Sequence, residues 1–296
     1  MQAHIDDFIS YLAMVRRLSD NTTKAYRRDL QMLAIGLDAT PIANTSSAVL
    51  RRLLAKYMAK GVHPSTVTRR LAAWRMFFDY LNKTGDANPA RAVNAPKKPA
   101  RLPKALTPDE TAALFIAKGD NTVLTLRDTA MFELLYSSAL RVSEMVALDV
   151  ADLDFSHRLV YVRQGKGGQG RVAPIGRAAR QALKKWLATR AVAGCSHDAL
   201  FIGKNNRRLG VRSVQLRLGR LAKKSGLAGR VSPHVLRHSC ASHFLQSSGN
   251  LRATQELLGH KSIAATQIYT RLDFQNLAKT YDKAHPKARR STVSAK

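Results

Sequence analysis

The sequence predicts a mainly α-helical protein of two domains, with a small antiparallel β-sheet in the second domain. Three observations support this fold class. Apolar residues recur at spacings of three and four along most of the chain, prolines interrupt it between residues 85 and 103, and a glycine-rich segment at 165–170 separates two β-like runs. We assign residues 1–85 to a helical domain, 86–105 to a linker and 106–290 to the second domain.

Helical signals dominate the first domain. Residues 19–22 (Ser-Asp-Asn-Thr) offer N-cap side chains before a helix predicted at 24–37. After Pro64, a second apolar stripe has helical spacing, and we expect Trp74 and Phe78 to pack in the core rather than stack on bases. The stripe consists of Val67, Leu71, Trp74, Phe78 and Leu81.

A proline-rich, basic linker precedes the second domain, which opens with a helix. Prolines and the pair Lys97-Lys98 predict a stiff, extended segment that is basic enough to cross a phosphate backbone. A new helix then begins at Thr107, with proline at its first position and Glu110 at the third, which together form a capping box.

The second domain alternates helices with one predicted hairpin. A helix at 126–147 is interrupted by polar residues at Ser137-Ser138. Strands at 159–162 and 171–175 flank the glycine-rich segment, which predicts a hairpin tip. Two further helices are predicted at about 177–190 and 212–224.

The net charge points to a polyanionic partner. The chain has 49 Lys and Arg against 20 Asp and Glu, a formal charge of +29 that is spread over both domains. Such a protein repels itself unless a polyanion is near, and nucleic acid is the natural candidate. A ribosome-associated or merely basic protein remains an alternative. An anionic membrane surface is disfavoured, because no helix segregates its basic residues opposite an apolar face.

Several protein classes are excluded by composition. The two cysteines, Cys195 and Cys240, suggest neither a disulfide framework nor a cysteine-based zinc site. Residues 1–10 contain Asp6 and Asp7 and lack the apolar core of a signal peptide. No apolar run is long enough to span a membrane, so we expect a soluble, cytoplasmic protein without membrane insertion.

Three dispersed motifs carry candidate chemistry. They are Ala139-Leu140-Arg141-Val142-Ser143-Glu144, Pro233-His234-Val235-Leu236-Arg237-His238, and Leu258-Gly259-His260, with Tyr269 nine residues later. His234 and Arg237 fall on one face near the start of a helix, where free backbone N–H groups attract anions. The second motif therefore predicts a phosphate pocket.

Each motif alone also has an ordinary interpretation. Arg141 could be a structural partner of Glu144, Gly259-His260 could be a helix cap with a surface histidine, and Tyr269 could be a packing residue. Only the combination, in this order, favours a catalytic site.

In order and spacing, the motifs resemble the tyrosine recombinase (phage integrase) family. The family pattern is an arginine in a G-L-R-x-S-E-like box, a lysine on a β-hairpin, H-x-L-R-H, L-G-H and then a tyrosine. The residues that match are Arg141, Lys166, His234, Arg237, His260 and Tyr269. The segment 18–28 is similar to the family's N-terminal core-binding, SAM-like domain, so the resemblance implies two domains that clamp DNA.

Two positions depart from the family pattern. Ala139 stands where the family usually has glycine, so we expect a positive φ there to be disfavoured. Gln169 occupies a hairpin position that is often basic, which predicts one missing phosphate contact.

The resemblance implies a cleavage mechanism. Tyr269 would attack a DNA phosphodiester, leaving a 3′-phosphotyrosyl bond and a 5′-hydroxyl. His234 would be the base, His260 a further donor to the phosphate, and Lys166 the acid for the leaving oxygen, although Lys166 could also be an ordinary phosphate-contacting lysine. Arg141 and Arg237 would neutralise the phosphate.

We expect no metal and no cofactor, because the sequence has neither a carboxylate cluster nor a Walker A motif.

Within the family, the chain is most similar to the Xer-type recombinases, and its tail at 281–290 is similar to the C-type members. This implies resolution of chromosome dimers at a dif-like double-stranded DNA site during cell division. The implied partners are a second Xer-type recombinase in a heterotetramer and a cell-division DNA translocase as activator. A helix at 273–284 could dock on a neighbouring protomer or on its own domain. The alternatives are a mobile-element integrase and a non-catalytic DNA-binding regulator.

Overall fold

The computed structural model divides the chain into two compact units, Met1–Arg101 and Leu102–Lys296. The described backbone follows the predicted fold class, with helices in both units and one small sheet in the second. The structure describes residues 1–38, 40–82, 88–96, 105–116, 122–163, 170–192, 197–203, 205–227 and 231–258.

In its described residues, the first unit consists of four α-helices and a short 3₁₀ turn at Ile42–Asn44 around one apolar core. Trp74 and Phe78 are 0% and 3% exposed, so the prediction that they pack in the core is confirmed. The indole N–H of Trp74 donates to the Asp29 carbonyl at 3.3 Å, which satisfies its polar atom inside the core. The helices are α1 (Gln2–Met14), α2 (Asp20–Leu37), α3 (Ser47–Ala59) and α4 (Pro64–Leu81).

The polar face of α4 is fixed by arginines. Arg69 donates from Nε to Oδ2 of the buried Asp29 at 2.8 Å. Arg75 donates to the carbonyls of Ala90 and Val93 at 3.1 and 2.6 Å, and both of these residues are buried. These contacts attach residues 88–93, which the sequence assigns to the linker, to the first unit.

The second unit contains seven helices and a three-stranded sheet among its described residues. The strand order is β1-β2-β3 and both pairings are antiparallel, with Leu159 opposite Pro174 and Val162 opposite Arg171. The elements are α5 (Pro108–Ile116), α6 (Val123–Ser137), α7 (Val142–Ala147), β1 (Leu153–Asp154), β2 (Leu159–Val162), β3 (Arg171–Pro174), α8 (Arg177–Val192), α9 (Val211–Lys224), α10 (Pro233–Ser248) and α11 (Leu251–Leu258). A 3₁₀ turn, Val150–Asp152, precedes β1.

Helix α6 is the centre of this unit, because residues 130–137 are buried on every side. The capping box predicted at the start of α5 is confirmed. The Thr107 N–H donates to the Glu110 carboxylate at 2.8 Å, and the Glu110 N–H donates to the Thr107 hydroxyl at 3.1 Å. Along the described ranges, none of the helices has the length and apolar character that a membrane span requires.

Candidate active site

Arg141 lies at the corner between α6 and α7. Between the two helices, Ala139 has a φ of +45°, in the left-handed region. The expectation that alanine makes a positive φ less likely to occur at this position was therefore wrong. The site tolerates the strain of about 1–2 kcal/mol because the Ala139 carbonyl accepts a hydrogen bond from Arg237 Nη1 and the methyl group is fully buried.

Glu144 holds Arg141 by two contacts. One carboxylate oxygen accepts from the Arg141 backbone N–H at 2.8 Å, and the other accepts from Nη1 of its side chain at 2.7 Å. The Glu144 side chain is 3% exposed, whereas the Arg141 side chain is 25% exposed. The ion pair expected of a structural arginine is present, yet part of the Arg141 side chain still faces solvent.

Arg237 lies in the second turn of α10 and is buried. Its Nη1 and Nη2 donate to the carbonyls of Ala139 and Leu258. Burial, together with the neighbouring Arg141 and Arg171 cations, lowers the pKa of Arg237 to about 10. Arg237 thus remains charged at neutral pH, but its charge is disfavoured in the free protein, and a bound anion would relieve that cost.

Arg171, the first residue of β3, joins the same cluster. Its Nη2 donates to Glu144 at 2.8 Å, and its Nη1 donates to the Leu257 carbonyl at 3.1 Å. Sequence reasoning did not single out this residue, because only the fold brings the strand against α7 and α11. Two guanidinium groups, those of Arg141 and Arg171, thus contact one carboxylate, and the Arg237 cation lies close to both. Among these described side chains, three positive charges face one negative charge.

The charge of Glu144 is stabilised by this cluster. Burial raises its pKa, but the Arg171 charge and hydrogen bonds from Arg141 and Arg171 outweigh burial and hold the pKa of Glu144 below its usual range. Glu144 is therefore ionised at neutral pH and keeps both arginines in place.

His234 lies in the first turn of α10 and is exposed. The helix begins as predicted, with Pro233 at its first position and the Ser232 hydroxyl accepting from the Val235 N–H at 3.4 Å. One turn separates His234 from Arg237, so the helix start brings an imidazole and free N–H groups near a guanidinium.

Helix α10 is tied to the chain just before α5. The Leu106 N–H donates to the Ser239 hydroxyl at 2.8 Å, and the Leu106 carbonyl lies 2.8 Å from His243 Nε2. Because a carbonyl only accepts, Nε2 carries the proton, and Nδ1 accepts from the Tyr136 hydroxyl at 2.7 Å. We call these hydrogen bonds among Tyr136, His243, Leu106 and Ser239 the α10 anchor.

The structure brings together Arg141 and Arg237, with His234 at the start of the same helix as Arg237. Lys166, His260 and Tyr269 lie outside the described residues, as do Gln169 and the predicted tail helix at 273–284. In the parts of the chain that are described, no group of three or more His, Cys, Asp or Glu side chains is arranged to hold a metal ion. The site's chemistry, as far as its described residues reach, is that of a cationic anion-binding pocket.

Models of one protein family match most of the chain. The model of the phage integrase family matches residues 104–276, and that of the phage integrase N-terminal SAM-like domain matches residues 5–85. The tyrosine recombinase XerC of Chromobacterium violaceum is 48% identical over 292 residues, covering 98% of this chain and 97% of the relative. That of Azotobacter vinelandii is 46% identical over 297 residues, covering 98% of each.

Solved structures share the fold. XerH site-specific recombinase, bound to a palindromic difH substrate in a post-cleavage complex, matches with a TM-score of 0.71 and 17% identity, covering 100% of this chain and 84% of its own. A lambda integrase dimer bound to a COC′ core site matches with a TM-score of 0.72 and 19% identity, covering 91% and 99%. The predicted fold class, a helical SAM-like domain followed by a mainly helical catalytic domain with a small sheet, is confirmed.

Proposed function

We infer the function of this chain from its family: it belongs to the phage integrase family and is an Xer-type tyrosine recombinase, an enzyme that cuts and rejoins DNA at specific sites. Its net charge of +29 fits a DNA substrate. The shared fold with recombinases solved on DNA agrees with that partner.

We further propose that the chain resolves chromosome dimers at a dif-like site during cell division. In this proposal it acts in a heterotetramer with a second Xer-type recombinase and is activated by a cell-division DNA translocase. Identity of 48% and 46% to proteins named XerC, over nearly their whole length, supports this role. Chromosomal DNA as substrate would place the activity in the cytoplasm.

The cluster of cations formed by Arg141, Arg171 and Arg237 is the observation that best supports the proposed chemistry. Arg141 is held by Glu144 while its side chain stays 25% exposed, and Arg237 carries a charge that burial disfavours. A scissile phosphate at this position would receive two guanidinium groups, whose planar forks suit its non-bridging oxygens. Negative charge grows on those oxygens in the transition state, so fixed donors of this kind lower the barrier.

The remaining roles follow from the chemistry of phosphoryl transfer to a phenol. An unperturbed phenol has a pKa of about 10 and is therefore protonated at neutral pH. Tyr269 must lose its proton as it attacks, and His234 would accept that proton. The Tyr269 oxygen forms a bond to phosphorus while the bond to the 5′-oxygen breaks, and Lys166 would protonate that leaving oxygen. His260 would donate to the same phosphate. Because the phosphotyrosyl ester conserves the energy of the broken phosphodiester bond, the 5′-hydroxyl can rejoin the strand without ATP.

A covalent-trapping assay tests the proposal. We expect the wild-type protein to form an SDS-resistant adduct with a nicked duplex from which the short 5′-hydroxyl fragment diffuses away. Arg141→Ala and Arg237→Ala should each lower the single-turnover cleavage rate by about 100- to 1000-fold while binding DNA nearly normally. Loss of binding as large as the loss of cleavage would instead make these arginines structural or DNA-docking residues.

The proposed acid is tested by changing the leaving group. With Lys166→Ala, a substrate in which sulfur replaces the bridging 5′-oxygen of the scissile phosphate should restore cleavage. The P–S bond then breaks to release a thiolate, which leaves without protonation. Absence of rescue would remove the acid role from Lys166.

The dif assignment is tested with competing duplexes. We expect adduct formation on a nicked dif-like duplex to exceed that on a duplex in which the recombinase-binding sequences are scrambled. We also expect it to increase when the second Xer-type recombinase is added. Equal reaction on both duplexes would contradict the chromosome-dimer role and favour a recombinase with another target.

A further inference from the structure

Arg171 connects two parts of the second unit that the motifs leave separate. It begins β3, opposite Val162, and its side chain is 14% exposed. One Nη group reaches Glu144 on α7 at 2.8 Å, and the other reaches the Leu257 carbonyl on α11 at 3.1 Å. Its Nε is buried without a partner among the described residues, so the two Nη contacts alone orient the guanidinium.

The first contact acts on the phosphate-binding side. Glu144 accepts from Arg171 with the same oxygen, Oε2, that accepts from the Arg141 backbone N–H. Its other oxygen holds the Arg141 side chain. Without Arg171, Oε2 of this buried carboxylate would lose one of its two partners. The hydrogen bonds left to it would then all come from Arg141, so the carboxylate and Arg141 could shift together.

The second contact acts on the end of α11. The carbonyls of Leu257 and Leu258 accept from Arg171 and Arg237, respectively. Carbonyls at a helix C-terminus lack partners within the helix and carry partial negative charge, so two cations there are favourable. The chain continues from Leu258 through Gly259 to His260 and Tyr269.

We propose that Arg171 is a positioning residue for DNA cleavage: it sets Glu144, and through it Arg141, relative to the end of α11 from which the segment bearing His260 and Tyr269 continues. The inference rests on the function proposed above and adds a residue to it. Arg171 acts through these neighbours, and no contact of its own with the phosphate is required. A lysine could supply the charge but not the rigid fork that reaches two acceptors at once.

Single-turnover cleavage of nicked DNA by Arg171→Met and Arg171→Lys is the first test. Because displacements of about 1 Å in a reacting site cost about 100-fold in rate, we expect a loss of that size for Arg171→Met and a smaller loss for Arg171→Lys. The matched control is Arg163→Met. Arg163 directly follows β2, and its substitution by Met removes the same charge. Its partners, however, are Asp149 and Asp152 rather than Glu144. We expect this control to cleave at close to the wild-type rate.

Two readouts separate positioning from a general loss of structure. In a double-mutant cycle, Arg171→Met and Glu144→Gln should be strongly non-additive, because both act through the same carboxylate. On DNA with an uncharged methylphosphonate at the scissile position, Arg141 has less charge to neutralise, so the cost of Arg171→Met should shrink by about tenfold or more. Additive effects in the cycle, or equal costs on both substrates, would overturn the inference.

The same gels distinguish failure of this inference from failure of the proposed function. If the wild-type protein forms no adduct, the proposed function is wrong and the role of Arg171 falls with it. If the wild-type protein forms the adduct and Arg171→Met cleaves as fast as Arg163→Met, only the inference about Arg171 is wrong. If Arg171→Met does not fold, Arg171→Lys takes its place. Its double-mutant cycle with Glu144→Gln and its cleavage of the methylphosphonate substrate then test the inference in the same way.

Discussion

At the scale of single residues, the left-handed backbone of Ala139 links the two arginines of the candidate site. Its carbonyl accepts from Arg237, and Arg141 follows two residues later. Glycine would relieve about 1–2 kcal/mol of backbone strain but would lose a buried methyl group worth about 0.8 kcal/mol and increase the freedom of the unfolded chain. These effects nearly cancel.

We therefore predict that Ala139→Gly changes the free energy of unfolding by less than about 1 kcal/mol, whereas Ala139→Val lowers it by about 2–4 kcal/mol. A β-branched side chain cannot adopt this φ without strain, and the site has no room for it. Urea unfolding measures both values. Equal tolerance of glycine and valine would show that position 139 does not need the left-handed conformation.

The charge of Glu144 gives a pH-dependent prediction. Its pKa is held below the unfolded value of about 4.3, so its stabilising effect is complete above that pH and disappears as the pH falls through the lower, folded pKa. We expect Glu144→Gln to cost about 2–3 kcal/mol near neutral pH and progressively less in acid. Unfolding free energies of both proteins across this range provide the test, and a constant difference at all pH values would contradict it.

The sequence motifs were sufficient to predict individual site residues, but the neighbours of those residues became known only from the folded structure. Arg141 and Arg237 could be found because each lies in a short motif. Arg171 could not, since its partners Glu144 and Leu257 are far away in the chain and only the folded structure brings them together. The positive φ of Ala139 was missed for a similar reason: local preference favours glycine, but a long-range hydrogen bond to Arg237 compensates.

At the scale of elements, the α10 anchor holds the helix that bears His234 and Arg237. We predict that Ser239→Ala, which removes the acceptor of the Leu106 N–H, lowers local stability by about 1 kcal/mol and speeds exchange of that amide about fivefold. Hydrogen exchange followed by NMR measures this. Ser247→Ala is the control, because the Ser247 hydroxyl donates to the Phe244 carbonyl of the same helix rather than bonding the Leu106 backbone. Equal effects of both variants on the Leu106 amide would contradict the anchor.

Elements with strong local signals were predictable from sequence, and those that depend on tertiary contacts were not. The capping box of Thr107 and Glu110 and the cap at Ser232 fixed the starts of two helices in advance. Strand β1, only two residues long, carries no periodic signal and forms because it pairs with β2. The packing of residues 88–93 depends on Arg75, which lies on another element.

At the scale of the whole molecule, each unit has a hydrophobic core of its own. We predict that a fragment of residues 1–96 folds cooperatively and is at least about 1 kcal/mol more stable than a fragment of residues 1–84. The longer fragment keeps the buried Ala90 and Val93 and their hydrogen bonds from Arg75. Urea titration followed by far-ultraviolet circular dichroism compares the two. Equal stability would mean that residues 88–93 contribute nothing to the first unit.

The chemistry of the whole molecule depends on one covalent bond between protein and DNA. Protease digestion of the complex trapped on nicked DNA, followed by mass spectrometry, locates that bond directly. We expect a nucleotide 3′-phosphate attached to Tyr269, a free 5′-hydroxyl on the released strand, and no adduct with Tyr269→Phe. An adduct on any other residue, or a phosphate left at the 5′ end, would contradict it.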